Sequence, residues 1–229
     1  MLIYTKAVPL VLIVFLVPLL TGCERKYIKG EGTATQESRK ITNFSTIEAD
    51  GEYHIKGTIG TPEELVISSN PNLIPYIKSS VDNKILTIHV DDSVKLLPSV
   101  QQNIWFTTDQ LHTLNLKGNS QFEMYDLNDK QLNCTFKGTH IVMLKGIITN
   151  LKIVINGNAN VNAQGLQVRD AEIEINGSGL VGVDISNNLK VKINGDGKVL
   201  YYNHQPKVEQ TISGSGEVSN AFGALEQQN

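Results

Sequence analysis

The sequence predicts an all-β protein: a right-handed parallel β-helix, or solenoid, of about 19-residue coils behind a β-rich N-terminal segment. Three observations carry this. Glycines recur at intervals of 18 to 20 residues, at Gly118, Gly138, Gly157, Gly177, Gly195 and Gly214. Apolar residues recur in step with them: Leu116, Phe136, Ile155, Ile175, Ile193 and Ile212 two places before, and Phe122, Val142, Val161, Val181, Val199 and Val218 four places after. Five places before the glycine stand Thr113, Asn133, Lys152, Glu172, Lys190 and Glu209, so charge alternates from one repeat to the next. In parallel stacked strands equivalent positions lie about 4.8 Å apart, and opposite charges become neighbours. In a meander they lie two strands apart. The dipeptides Asn156-Gly157, Asn176-Gly177 and Asn194-Gly195 are nevertheless hairpin signals, which makes an antiparallel meander or barrel the alternative. Handedness follows from the general crossover rule, and the glycines are expected at corners that need positive φ.

The elements follow in chain order. Lys6 precedes an apolar run from Ala7 to Leu20, too short for a bilayer span and of the length of a secretory h-region. Leu20-Thr21-Gly22-Cys23 ends it, and the stretch resembles a bacterial lipoprotein signal whose cysteine is lipidated and becomes the mature N-terminus. Residues 1–22 are then the signal peptide, and acyl chains on Cys23 would anchor the chain to a membrane. Residues 23–39 are expected to be the lipidated cysteine and a flexible tether, being polar and without apolar periodicity. Between residues 40 and 100, His54-Ile55-Lys56, Leu65-Val66-Ile67 and Ile85–Val90 are strand candidates, punctuated by Asp50-Gly51, Asn70-Pro71 and Asp82-Asn83. The domain is expected over 40–219, with regular repeats over about 112–219 and a polar tail at 220–229.

Composition narrows the function classes. A formal charge of −3 with interspersed signs offers no basic face for nucleic acid. Two cysteines, one of them in the lipobox, leave no disulfide framework; Cys134 falls in an inward column and reads as a buried small hydrophobe. The five histidines share no metal-ligand spacing, and neither a metal nor a cofactor is expected. Gly177-Ser178-Gly179-Leu180-Val181-Gly182 has the spacing of a dinucleotide loop, but Val183-Asp184-Ile185 follows in place of a helix.

Lys40-Ile41, Phe44, Ile47 and Asp50-Gly51, followed by the corners Asn176-Gly177-Ser178-Gly179, Asn194-Gly195-Asp196-Gly197 and Ser213-Gly214-Ser215-Gly216-Glu217-Val218, resemble the GIN domain, described as an auto-transporter adhesin head. The similarity runs from about Gly30 to Val218 and is reduced at Gly118-Asn119-Ser120 and Lys137-Gly138-Thr139-His140. The resemblance implies a β-helical envelope protein, often a lipoprotein, with no catalytic residues to carry over.

Catalysis of the kind found in polysaccharide-cleaving β-helices needs clustered carboxylates and a basic residue on one face. The column after the glycine holds Asn119, Thr139, Asn158, Ser178, Asp196 and Ser215, a single carboxylate, so a binding role is expected. The candidate ligand patch is Asp184, Tyr202, Asn203 and His204, with Tyr202 stacked over Asp184 and an aromatic face for a sugar ring. The partners expected are the membrane, through the lipid, and a glycan or envelope protein. End-to-end homo-oligomerisation is the structural alternative, and a polysaccharide-cleaving enzyme is a third reading. The address is the envelope, at the outer membrane in a two-membrane bacterium, because Glu24 rather than aspartate follows the cysteine.

Overall fold

The computed structural model describes residues 25–221. The lipobox residues Leu20, Thr21, Gly22 and Cys23, and nearly all of the tail, lie outside the described residues. The described residues are all-β, with one 3-10 turn at Ile74–Tyr76 and no α-helix. In order, the strands are β1 (Lys26–Lys29), β2 (Thr35–Lys40), β3 (Thr46–Gly51), β4 (His54–Ile59), β5 (Glu64–Ser69), β6 (Ile77–Asp82) and β7 (Ile85–Val90). They continue with β8 (Val94–Leu97), β9 (Asn103–Thr108), β10 (Thr113–Gly195), β11 (Lys198–Tyr202), β12 (Lys207–Ser213) and β13 (Glu217–Asn220).

β10 is 83 residues of extended chain. Straight, it would reach roughly 270 Å. Its start pairs in parallel with β3 and β4 and its end with β11 and β12. The repeat glycines mark the corners: Gly157 has φ 138° and Gly177 φ 131°. A Cβ on Gly177 would stand 2.5 Å from the carbonyl oxygen of Gly157, so glycine is needed for close backbone approach as well as for φ. The same contact links Gly118 to Gly51 and Gly138 to Gly118, and Gly157 to Gly138, Gly195 to Gly177 and Gly214 to Gly195. Gly146, at φ 134° over Leu127, is a further corner outside the glycine column.

The apolar columns fill the interior. Leu116, Phe136, Ile155, Ile175 and Ile193 are at most 1% exposed, as are Phe122, Val142, Val161, Val181 and Val199. Burying each such side chain contributes roughly 1.5–3 kcal/mol. The columns open at the last repeat, where Ile212 is 37% exposed.

The sheet is mixed and is not a closed barrel. β2–β5, β5–β9 and β6–β7 pair antiparallel, while the other pairings are parallel. The β6–β7 hairpin turns at Asn83 and Lys84, both at positive φ. The tether expectation needs correction: from Lys26 the chain is paired, β1 in parallel with β8 and β2 antiparallel with β5. β2 reads as spacer because it is a polar edge strand, exposed at every position except Arg39. Arg39 fastens it, donating to the Ile77 carbonyl at 2.7 Å and to Ser79 Oγ at 2.8 Å. The loop between the strands is held too. Fully buried Asn70 donates to the Gly32 carbonyl at 2.8 Å and to Ser99 Oγ at 2.9 Å, and accepts from the Ser99 amide at 3.0 Å.

Candidate functional site

The outward columns of the repeats form ladders. Asn194 Nδ2 donates to Asn176 Oδ1 at 2.7 Å, and Asn176 Nδ2 to Asn156 Oδ1 at 3.0 Å. Lys192 Nζ lies 3.0 Å from Glu174, holding that carboxyl below its ordinary range, and Lys152 Nζ lies 3.6 Å from Glu172. The Asn-Gly pairs that signal hairpins in isolation serve parallel stacking here. An amide can donate up and accept from below only when identical positions are in register.

The candidate patch lies at the end of these columns. Asp184 and Tyr202 are register partners across β10 and β11. The Tyr202 ring lies over Gly182, where a Cβ would be 3.4 Å from it. Asn203, at φ 62°, turns the chain so that its Nδ2 donates to Asp184 Oδ2 at 3.0 Å, and His204 Nδ1 lies 2.7 Å from Asp184 Oδ1. The four residues are together, but the Asp184 side chain is only 9% exposed and both its oxygens are engaged. Its carboxylate holds the turn rather than standing free for a ligand. Beside it Ile147, Val168, Arg169, Ser186 and His204 line a shallow groove of about 390 Å³.

A larger concavity, about 900 Å³, lies over the outward face of β7, β3 and the first coils of β10, bounded by the segment Asp91–Val94 and by Arg25. Its floor is built in register: Asp50 pairs with His89 on one side and Lys117 on the other, and Glu48 with Thr87 and Asn115. Lys117 Nζ reaches Asp50 Oδ2 at 2.6 Å, which raises the lysine pKa, and Asn115 donates to Glu48 at 3.2 Å. Asp92 and Lys137 complete a lining that mixes both charges with hydroxyl and amide groups. A signal existed in the sequence: Gly51 belongs to the glycine column, which sets Glu48 and Asp50 in the columns of Asn115 and Lys117.

Other sequence candidates are placed plainly. Cys134 is buried in the core, and burial pushes its thiol pKa well up. His54 lies 2.9 Å from Glu123 and His112 3.0 Å from Asp129. Among the described residues no group of three or more His, Cys, Asp or Glu side chains is placed to hold a metal ion, and no helix is long and apolar enough to cross a membrane. The segment Gly177–Gly182 runs on as strand within β10.

The described residues thus form an all-β domain with polar ladders along its repeats and a polar cleft. The chain belongs to the family described as "Putative auto-transporter adhesin, head GIN domain", whose sequence pattern matches residues 43–206. Three solved structures share the fold. A "putative adhesin" from Bacteroides fragilis aligns with a TM-score of 0.66 at 19% identity, covering 84% of this chain and 99% of that one. A "putative lipid binding protein" from Parabacteroides distasonis aligns at 0.57 and 21%, covering 85% and 99%. A "putative adhesin" from Parabacteroides merdae aligns at 0.57 and 20%, again over 85% and 99%. None of the curated proteins compared with the chain matches it.

Proposed function

We propose that this protein is a lipid-anchored bacterial envelope lipoprotein whose GIN domain, wound as a right-handed parallel β-helix, binds a glycan without turning it over. The observation that carries the binding reading is the 900 Å³ cleft. Its volume suits a small-molecule or oligosaccharide ligand. Glu48, Asp50, Asp91 and Asp92 face Arg25, Lys117 and Lys137, a near balance that disfavours a polyanion. Donors and acceptors at successive coils suit a ligand whose hydroxyls do both. Two of the related structures are named as putative adhesins, which agrees with a binding role. Leu20-Thr21-Gly22-Cys23 supplies the anchor, and Glu24 points to the outer membrane in a two-membrane bacterium. Absence of turnover is supported by the state of the cleft carboxylates: Asp50 is paired with Lys117 at 2.6 Å, Glu48 accepts from Asn115 at 3.2 Å and Asp91 accepts from Ser93 Oγ at 2.6 Å.

The test is a glycan and envelope-polysaccharide binding screen on the soluble chain beginning at Glu24, since a start at Arg39 would delete β1 and most of β2. Each hit is assayed for cleavage as well. Binding without cleavage, lost in Lys137→Glu and kept in Tyr202→Ala, is the expected result. Loss in Tyr202→Ala alone would move the ligand to the Asp184–Tyr202 patch, and cleavage would overturn the non-enzymatic reading.

A second reading, end-to-end self-assembly, rests on β12, which pairs only with β10 among the described residues and leaves its other edge open. Size that grows with concentration in sedimentation would favour it.

A further inference from the structure

The outward face of the β1–β8 ribbon is a surface with no role so far. The ribbon is a two-stranded sheet separate from the main one, with Tyr27 opposite Lys95 and Lys29 opposite Leu97. Strand alternation sorts its two faces. Val94, buried, and Leu96, packed against the core, point inward with Ile28. Tyr27, 63% exposed, and Leu97, 39% exposed, point out with Lys29 and Lys95. Lys95 Nζ sits 5.6 Å from the centroid of the Tyr27 ring. The strand sequences Lys-Tyr-Ile-Lys and Val-Lys-Leu-Leu hold no carboxylate, and two of their three lysines, Lys29 and Lys95, lie on the outward face. In a chain of net charge −3 this is a local reversal of sign.

The chain places this face. Cys23 is three positions before Lys26, where pairing begins, so at most about 11 Å of backbone separates the cysteine from β1. That is close to one Debye length at physiological salt, roughly 8–10 Å. If Cys23 carries the lipid, the ribbon cannot leave the headgroup region. A tyrosine with an apolar body and a polar tip, an exposed leucine and lysines that extend along apolar surface are the groups that suit a bilayer interface with anionic lipid.

We infer that the outward face of the β1–β8 ribbon, with Tyr27, Lys29, Lys95 and Leu97, docks on the anionic surface of the membrane that holds the lipid anchor. It rests on the anchoring proposed above. The acyl chains supply attachment, and the ribbon fixes how the domain stands on the bilayer. The face is a two-stranded ribbon whose exposed apolar groups, Tyr27 and Leu97, stand beside lysines, so an extended lipid surface suits it better than a single enclosed ligand.

The test uses the full chain expressed with its own leader, the mass of the N-terminal peptide being read first for acylation of Cys23. The acylated protein is placed in vesicles of phosphatidylcholine and phosphatidylglycerol with a fluorophore at Leu97→Cys or, at the far end of the coils, at Glu209→Cys; buried Cys134 stays unlabelled. The Leu97→Cys label should be several-fold less open to iodide than the Glu209→Cys label, and brominated lipids should quench only the first. Adding Tyr27→Ser, Lys29→Glu and Lys95→Glu should restore iodide access while acylation and vesicle attachment persist. Equal access at both labels in acylated protein overturns the docking face and leaves the anchor standing. An unacylated Cys23 overturns both.

Discussion

Asn194 donates its side-chain amide to Asn176 at 2.7 Å from the neighbouring coil, the partner position being 18 residues back in the chain. Asn176 is the hub of that ladder, since it also donates to Asn156 at 3.0 Å and lies 3.4 Å from Glu174. Replacing Asn176 with alanine should therefore cost more than replacing either neighbour. We expect a loss of about 1–2 kcal/mol, from two partly solvated hydrogen bonds. A urea melt of Asn176→Ala beside Asn156→Ala measures this, with the midpoint moving and the slope unchanged. Equal shifts would mean that the amides do not act as a ladder.

The glycine column makes a sharper prediction. Gly177→Ala meets two obstacles at once, φ of 131° and a Cβ 2.5 Å from the Gly157 carbonyl oxygen. Its partner is backbone, which cannot step aside without lifting the next coil. A loss on the order of 3 kcal/mol is expected from strain and overpacking together. Gly60→Ala is the contrast. The nearest atom to its Cβ would be Thr107 Cγ2 at 3.5 Å, and its φ lies outside the left-handed region. That substitution should be neutral or stabilise by up to about 1 kcal/mol, through reduced freedom of the unfolded chain.

The buried histidine sets a pH dependence. His140 is 1% exposed, 5.9 Å from the Phe136 ring, with Nε2 3.1 Å from the Lys137 carbonyl. Burial lowers its pKa from the ordinary 6.5, while bonds to backbone at Lys137 and Ser120 oppose the shift. A histidine whose folded pKa is depressed gives stability that is present above 6.5 and lost as pH falls through the folded value. Unfolding free energy should accordingly fall as pH drops from 7 towards 5. His140→Gln should flatten that window, because glutamine can donate to the same carbonyl without titrating. Below about pH 4 a second loss is expected, as Glu174 and Asp170, both held below their ordinary range, become protonated. That loss should be small, because both carboxylates are solvated.

These features were unequally legible in the sequence. The apolar columns through Leu116, Phe136 and Ile155 could be read because successive repeats place chemically equal demands on equal positions. The cleft was harder to read: Gly51 falls in the glycine column, but Asp50 meets Lys117 across 67 positions and the excursion from β4 to β9 interrupts the period between them. Asn156-Gly157 and its counterparts carry local hairpin chemistry, and only the long-range register turns them into a parallel ladder. The stacking of Tyr202 on Asp184 is a matter of period, whereas the burial of Asp184 depends on how Asn203 and His204 fold back on it. The polar stretch before Lys40 lacked any apolar alternation because β2 buries neither face, so its pairing with β5 left no trace in composition.

That last segment gives the most decisive stability test. Asn70 is 0% exposed and makes three hydrogen bonds, to the Gly32 carbonyl and to the hydroxyl and amide of Ser99. One side chain thus ties the loop between β1 and β2 to the chain just after β8. Asn70→Ala removes all three and leaves the Ser99 amide and the Gly32 carbonyl to find water. We expect a loss of about 2–4 kcal/mol, at the upper end of what unsatisfied buried groups cost. The damage should be local as well as global. In hydrogen exchange, amides of β1 and β8 should lose protection at denaturant concentrations where those of β10 keep it. Uniform loss across β10 and the ribbon would show instead that the N-terminal strands unfold only with the coils, as one cooperative unit.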